Sequence, residues 1–168
     1  MSAGSKNARG LRLELEPQGF AAVERLLAYE MVNSLLLITI EMQRLFAMRP
    51  LEFQIFMVIA MASVQRFIRD SQPDPAFLDA TPLPPQYRGA ISRRRIAETL
   101  DLPFETVRRH VAQLIVRGEI IENGRGLLST GGGTLKRSSE AGGTRLMANR
   151  FLTVANRMIQ LNAARAEQ

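Results

Sequence analysis

The stretch that most constrains this chain is residues 90–130, AISRRRIAETLDLPFETVRRHVAQLIVRGEIIENGRGLLST. Ser92 is placed to cap a short helix running from Arg93 to Leu100, because its hydroxyl can take a free N–H of the first turn. Ile96, Ala97 and Leu100 form the inner face of that helix. Asp101-Leu102 leaves room only for a short turn. Pro103 then opens a second helix, at a position that tolerates a residue without an N–H. That helix runs to about Arg117, where Gly118 stops it. Two helices joined by so short a turn, the second longer, make a helix-turn-helix. Ile120 and Ile121 begin a strand, NGRG signals a hairpin turn with Asn-Gly supplying positive φ, and Leu127 and Leu128 begin the return strand. A hairpin in that place is a wing.

The second helix can be projected from its sequence. With Val107 at zero and ~100° per residue, Val111, Leu114 and Phe104 fall within ~60° of it and Ile115 slightly further. These residues are expected to be buried. Arg109 lies near the opposite pole, with Glu105, Thr106, Ala112 and Gln113 around it and Arg108 on a flank. Small side chains on this face let the backbone approach a groove. Arg108 and Arg109 can reach guanine edges or phosphates, and Gln113 adenine or a phosphate. Thr106 suits a phosphate or a thymine methyl, and Glu105 the amino group of cytosine. The same charges also suit an ordinary solvated face.

Residues 89–130 resemble the winged helix-turn-helix domain of bacterial transcription regulators, such as the MarR and GntR groups. The matching residues are RRIAETLDLPFETVRRHVAQLIVRGEI and the wing ENGRGLL, about a quarter of the chain. The resemblance implies that the second helix enters the major groove of double-stranded DNA. In the MarR group, helices outside this module build a homodimer. Asp101 stands where such turns often carry glycine, and the wing is shorter than is typical of MarR members.

Charge points the same way. The chain of 168 residues has a net charge of +6 and a sequence pI near 10.9. The excess lies in residues 88–135, net +3, and 136–168, net +4. Only Lys6 and Lys136 are lysines, so the basic side chains are nearly all planar guanidinium forks that fit phosphate and guanine. Codon composition gives the same bias. Arg93, Arg94 and Arg95 open the first helix, where the free N–H groups already attract phosphate. Three arginines there oppose the helix dipole, a conflict that an anionic partner would remove. Arg125, at the wing tip, can enter a minor groove.

The rest of the chain divides by composition. Residues 1–19 read as a flexible N-terminal arm. Residues 20–70 read as two long apolar helices, broken at MRPLEF around Pro50, that carry more apolar surface than the pair can hide. Leu35 and Leu36 stand for that surface in a subunit interface. Residues 71–88 hold five of the eight prolines and read as a linker, and 131–143 as a Gly/Ser linker. Residues 144–168 read as a C-terminal helix, with Met147, Phe151, Val154, Met158 and Leu161 at steps of four, three, four and three. That seam serves either the chain's own core or pairing with a second subunit. MVNSLLLITI and FQIFMVIAMASV are each shorter than the ~20 residues of a membrane span, so buried helices and no membrane are expected.

Other chemistry has little material. There is no cysteine, and the N-terminus has no signal-like apolar core, so a cytoplasmic location is the expectation. His110 is the sole histidine, which argues against a metal site and against nucleophile–base catalysis. STGGGT lacks the ending of a phosphate loop. The expected protein is therefore mostly α with a small β-hairpin wing, not an enzyme and without a cofactor. Its expected role is that of a homodimeric, sequence-specific DNA-binding transcription regulator on a palindromic operator. Met57 and Met61 permit a small apolar effector, although core filling explains them more simply. The competing reading is a winged helix used for protein–protein contact, replication or partition.

Overall fold

The computed structural model describes residues 12–167. In chain order the elements are β1 (Arg12–Leu15), α1 (Pro17–Leu45), α2 (Pro50–Ile68), α3 (Arg93–Leu100), α4 (Phe104–Val116), β2 (Ile120–Glu122), β3 (Leu128–Thr130), α5 (Thr134–Glu140), α6 (Gly143–Gln160) and β4 (Ala164–Glu167). The protein is mostly helical. Its strands form two small antiparallel pairs, β1 with β4 and β2 with β3. The chain divides into two compact units, residues 41–144 and residues 1–40 with 145–168.

The 41–144 unit is built around α2. Phe53, Ile55, Phe56, Ile59 and Phe67 of that helix are buried. They pack in a core with Phe46, Ile96, Val107, Val111, Leu114, Ile120 and Leu128, and the rings of Phe46 and Phe56 lie 4.9 Å apart. Burial of each such side chain stabilises by about 1.5–3 kcal/mol relative to exposure. Alone among the described residues, α2 is long and apolar enough to cross a membrane, and in this fold Phe53, Ile55, Phe56, Ile59 and Phe67 place one face of it in the core.

One serine ties α2 to the hairpin. Ser63 Oγ donates to Ile59 O at 2.7 Å and accepts from Thr130 N at 2.9 Å, while Ser63 O accepts from Gly89 N at 2.8 Å. A side chain at Gly89 would place its Cβ 2.3 Å from Ala62 O, so only glycine permits this approach. Ile91 then pairs with Leu128 through reciprocal bonds of 2.9 and 2.8 Å, adding a third short edge to β2–β3.

The boundaries differ from the sequence expectation in five places. The long apolar stretch 20–70 is not one unit, because α2 belongs with the helix-turn-helix and the division falls after Ile40. The proline-rich 71–88 segment is held, with turns at Pro75–Phe77 and Pro85–Tyr87, and the Tyr87 ring lies edge-on to Phe67 at 5.9 Å and tilted against Phe77 at 5.6 Å. The expected 131–143 linker contains α5, whose Arg137 pairs with Glu119 and lies 4.9 Å over the Phe46 ring. Of the expected N-terminal arm, residues 12–15 form β1 and α1 starts at Pro17, while residues 1–11 lie outside the described region. The C-terminal helix stops at Gln160, and β4 follows.

The second unit is a pairing of chain ends. Arg12 to Leu15 run antiparallel to Glu167 to Ala164, and Glu16 N donates to Ala163 O at 2.9 Å. Gly19 sits where a Cβ would lie 1.9 Å from Asn162 O, so the start of α1 is pressed onto the end of α6. Asn162 has φ 55°, the left-handed conformation that stops α6. Leu27, Ala163 and Ala164 are buried here. The middle of α1, expected to be buried on most sides, instead leaves Val32, Leu35 and Leu36 exposed.

Candidate nucleic-acid interface

Helices α3 and α4 and the turn between them form for the reasons visible in their sequence. Ser92 Oγ accepts from Arg95 N at 3.2 Å and caps α3. Asp101 has φ 50° and ψ 49°, which explains why glycine would also suit this position. Asp101 N and Leu102 N both donate to Ala97 O, closing the turn. Val107, Val111 and Leu114 are wholly buried on one side of α4. Phe104, expected on that buried stripe, is instead 51% exposed at the first turn of α4. The helix begins at Phe104, with Pro103 as its cap, so Phe104 has no preceding turn to pack under.

The arginines separate into committed and free ones. Arg93 donates to both carboxylate oxygens of Glu122 at 2.7 Å and to Gly126 O at 3.4 Å. It fastens the start of α3 to the hairpin. This corrects its expected place beside Arg94 and Arg95 as an open phosphate contact. The hydrogen bonds from Arg93 hold the Glu122 carboxyl below its ordinary value, and those to Glu122 raise Arg93. Arg94 and Arg95 both reach Glu98, at 3.1 and 3.4 Å, with exposed side chains. Exposed pairs of this kind contribute about 0–1 kcal/mol, so these two arginines are readily released to a phosphate.

On α4, Arg108 makes a two-pronged bond to Glu105 at 2.8 and 2.6 Å. The bond lowers the Glu105 carboxyl and raises Arg108. Glu105 and Arg108 thus act first on each other. Arg109 and Gln113 are exposed, and neither side chain has a hydrogen bond or ion pair among the described residues. Thr106 is half-buried. Arg125 projects from the hairpin turn with its side chain exposed and unpaired. The turn is set by Asn123, whose Oδ1 accepts from Arg125 N and Leu127 N at 3.0 Å. Positive φ falls on Gly126, at 74°, rather than on the expected Asn-Gly pair.

A cleft of about 770 Å³ opens beside α4 and is lined by Arg49, Glu52, Arg109, His110, Gln113 and Arg117, with Ala112 and Val116 completing the wall. Arg117 bridges inside the unit, donating to Glu52 at 2.9 Å and to the carbonyls of Phe46 and Ala47 at 3.0 and 3.2 Å. It satisfies carbonyls at the end of α1 that have no helical partner. Sequence reasoning missed Arg49 and Glu52, which tertiary folding brings beside α4 from the start of α2. Pro50, marking that helix start, was the only local signal. His110 is half-buried, and its Nδ1 is buried without a hydrogen-bond partner. No group of three or more His, Cys, Asp or Glu suited to a metal occurs among the described residues.

The expected dimerisation residues lie on open faces. Leu35 and Leu36 on α1 are each 56% exposed and Phe151 on α6 is 59% exposed. Val154, Met158 and Leu161 are half-buried. Met57 and Met61, expected to fill the core or otherwise to permit an apolar effector, are exposed rather than packed in the core, and the cleft beside α4 is lined largely by charged and polar side chains. No family model, no curated protein and no solved structure matches this chain.

Proposed function

We propose that the protein is a homodimeric regulator of transcription that binds double-stranded DNA through a winged helix-turn-helix, with α4 as the recognition helix and β2–β3 as the wing. The observation that carries this reading is the open stripe on α4. Arg109, Ala112 and Gln113 face away from the core, and among the described residues neither Arg109 nor Gln113 makes a side-chain hydrogen bond or ion pair, the Glu105 carboxylate acting on Arg109 only at longer range. A helix that offers an unpaired arginine and glutamine with a small residue between them is suited to the major groove.

In this reading Arg109 reads guanine and Gln113 reads adenine, each through paired hydrogen bonds. Arg108, held by Glu105, contributes charge to the phosphate backbone. Arg94, Arg95 and Arg125 add backbone contacts, and Thr106 lies within reach of a phosphate. Two subunits, joined through the apolar faces of α1 and α6, present two recognition helices to half-sites about one helical turn apart.

The test is a salt titration of binding to duplexes selected from a random pool. Affinity should fall steeply with salt and retain a component that depends on sequence. Arg109→Ala should remove about 1–3 kcal/mol of discrimination at one base pair. Unchanged affinity and unchanged selected sequence in that variant would reject α4 as the reader. Val116, 87% exposed, and Phe104 favour a second reading, a winged helix that docks on another protein. Under it no duplex is selected at all.

A further inference from the structure

We propose that the cleft between the start of α2 and α4 seats a phosphate of the DNA strand on the α2 side of the recognition helix, with Arg49 as its principal ligand. This inference rests on the DNA-binding reading and names a contact that the helix-turn-helix motif does not contain.

The argument starts from the shape of α4. At ~100° per residue, Arg108 and His110 lie about 100° to either side of Arg109. A helix with side chains is about 10–12 Å across and fills a major groove about 12 Å wide, so a phosphate ridge runs along each flank. On the Arg108 flank the motif itself supplies two arginines, Arg108 and Arg93, near enough to act on each other electrostatically, although each is already paired with a carboxylate, Glu105 and Glu122. The helix-turn-helix sequence offers no second arginine cluster for the His110 flank.

The cleft occupies that flank. Its lining includes three arginines and one carboxylate. The carboxylate, Glu52, is already engaged by Arg117 at 2.9 Å and by Arg49 N at 3.3 Å. Arg117 is itself committed to Glu52 and to two carbonyls. Arg49 and Arg109 remain, both exposed and both without a carboxylate partner among the described residues. Arg109 feels the Glu105 carboxylate only at longer range, so two guanidinium groups without an ion-pair partner share one open cleft and raise its local potential. A phosphate entering the cleft lowers that potential and fits the donor geometry of arginine. An open trough also suits a continuous strand. Arg109 borders both the cleft and the outward stripe, so a phosphate seated at Arg49 sets the depth at which Arg109 meets the bases.

The experiment compares Arg49→Ala, Arg49→Lys and Arg109→Ala in the full chain, using one duplex selected from a random pool and one scrambled duplex. The Arg49 side chain is exposed and has no ion pair among the described residues, and the bond from Arg49 N to Glu52 that caps α2 is a backbone one, so both variants should keep the parent melting temperature. Arg49→Ala should weaken both duplexes by the same factor, about three- to tenfold, and lower the salt slope by about 1. Arg49→Lys should restore most of the slope. An unchanged slope in Arg49→Ala, with altered sequence preference in Arg109→Ala, would overturn the phosphate seat and leave the DNA reading intact. Weakening confined to the selected duplex would make Arg49 a base reader and would also overturn it. Inorganic phosphate supplies the remaining arm. If it shifts the His110 ring resonances only when Arg49 is present, while Arg49→Ala leaves DNA affinity unchanged, the cleft takes a free anion and the strand assignment is wrong. Failure of every variant and of the parent to bind any duplex would instead reject the DNA reading itself.

Discussion

The two units of this chain handle apolar side chains in opposite ways. In residues 41–144, α2 buries one face: Phe53, Ile55, Phe56 and Ile59 lie against the chain's own helices and hairpin, while Met57, Met61 and Ile68 stay exposed. In residues 1–40 with 145–168, Tyr29, Val32, Leu35, Leu36, Phe151 and Leu152 are exposed, and the chain ends are joined chiefly by a two-stranded ribbon. Both units have long helices rich in apolar residues. What differs is whether one copy of the chain supplies enough neighbours to cover them. The 41–144 unit assembles a core of large side chains even though Met61, Phe104 and Val116 stay exposed, whereas the other unit buries few large side chains and leaves a run of them open along α1.

The comparison can be broken at its strongest point. Phe56→Ala opens a cavity at the centre of the self-sufficient unit and should cost about 3–5 kcal/mol, read as a shift in the denaturant midpoint. The paired change Leu36→Glu with Phe151→Glu should leave that unit folded. It should weaken self-association on the order of a hundredfold or more, because an unpaired charge in an apolar interface costs several kcal/mol. Light scattering on the parent should give a dimer mass at micromolar concentration, and on the double variant a monomer. A parent that is already monomeric would end the dimer reading.

Smaller effects sharpen the same contrast. Ser63→Ala removes the hydroxyl that links α2 to the return strand, leaving Thr130 N buried without its acceptor. A loss of about 1–3 kcal/mol is expected, with hydrogen exchange rising first along β3. The smallest effect concerns the Arg93–Glu122 clamp. The Glu122 carboxyl is lowered in the folded protein, so its stabilising effect is full above the ordinary carboxylate value. That effect is lost as pH falls through the lowered one. Glu122→Gln should therefore lower the melting temperature slightly at neutral pH. The gap to the parent should narrow as pH falls below the ordinary carboxylate value and close once pH is below the lowered one, where the parent also loses the charge. A gap that is constant with pH would mean that the clamp acts by packing alone.

The elements α3, α4 and the β2–β3 hairpin were legible because their signals are local. Ser92, the left-handed Asp101, Pro103 and Gly118 each act on their immediate backbone, and the three-four spacing of Val107, Val111 and Leu114 is a property of one helix. The outward position of Arg109 and Gln113 followed from the same periodicity. Periodicity failed at Phe104, since an end residue has no preceding turn. It failed again for 131–143, where three consecutive glycines masked α5, a helix held by Arg137 against Glu119 and Phe46.

By itself, then, the sequence determined the local elements of the 41–144 unit and the cationic, arginine-based character of its surface. Only the tertiary structure decided which arginines are free. Arg93 and Glu122 are 29 residues apart, and Arg117 and Glu52 are 65 apart. No local rule brings such pairs together. They meet because burying α2 in the core sets α4, the hairpin and the end of α1 around it. That same packing brings Arg49 beside Arg109 and leaves both cations open.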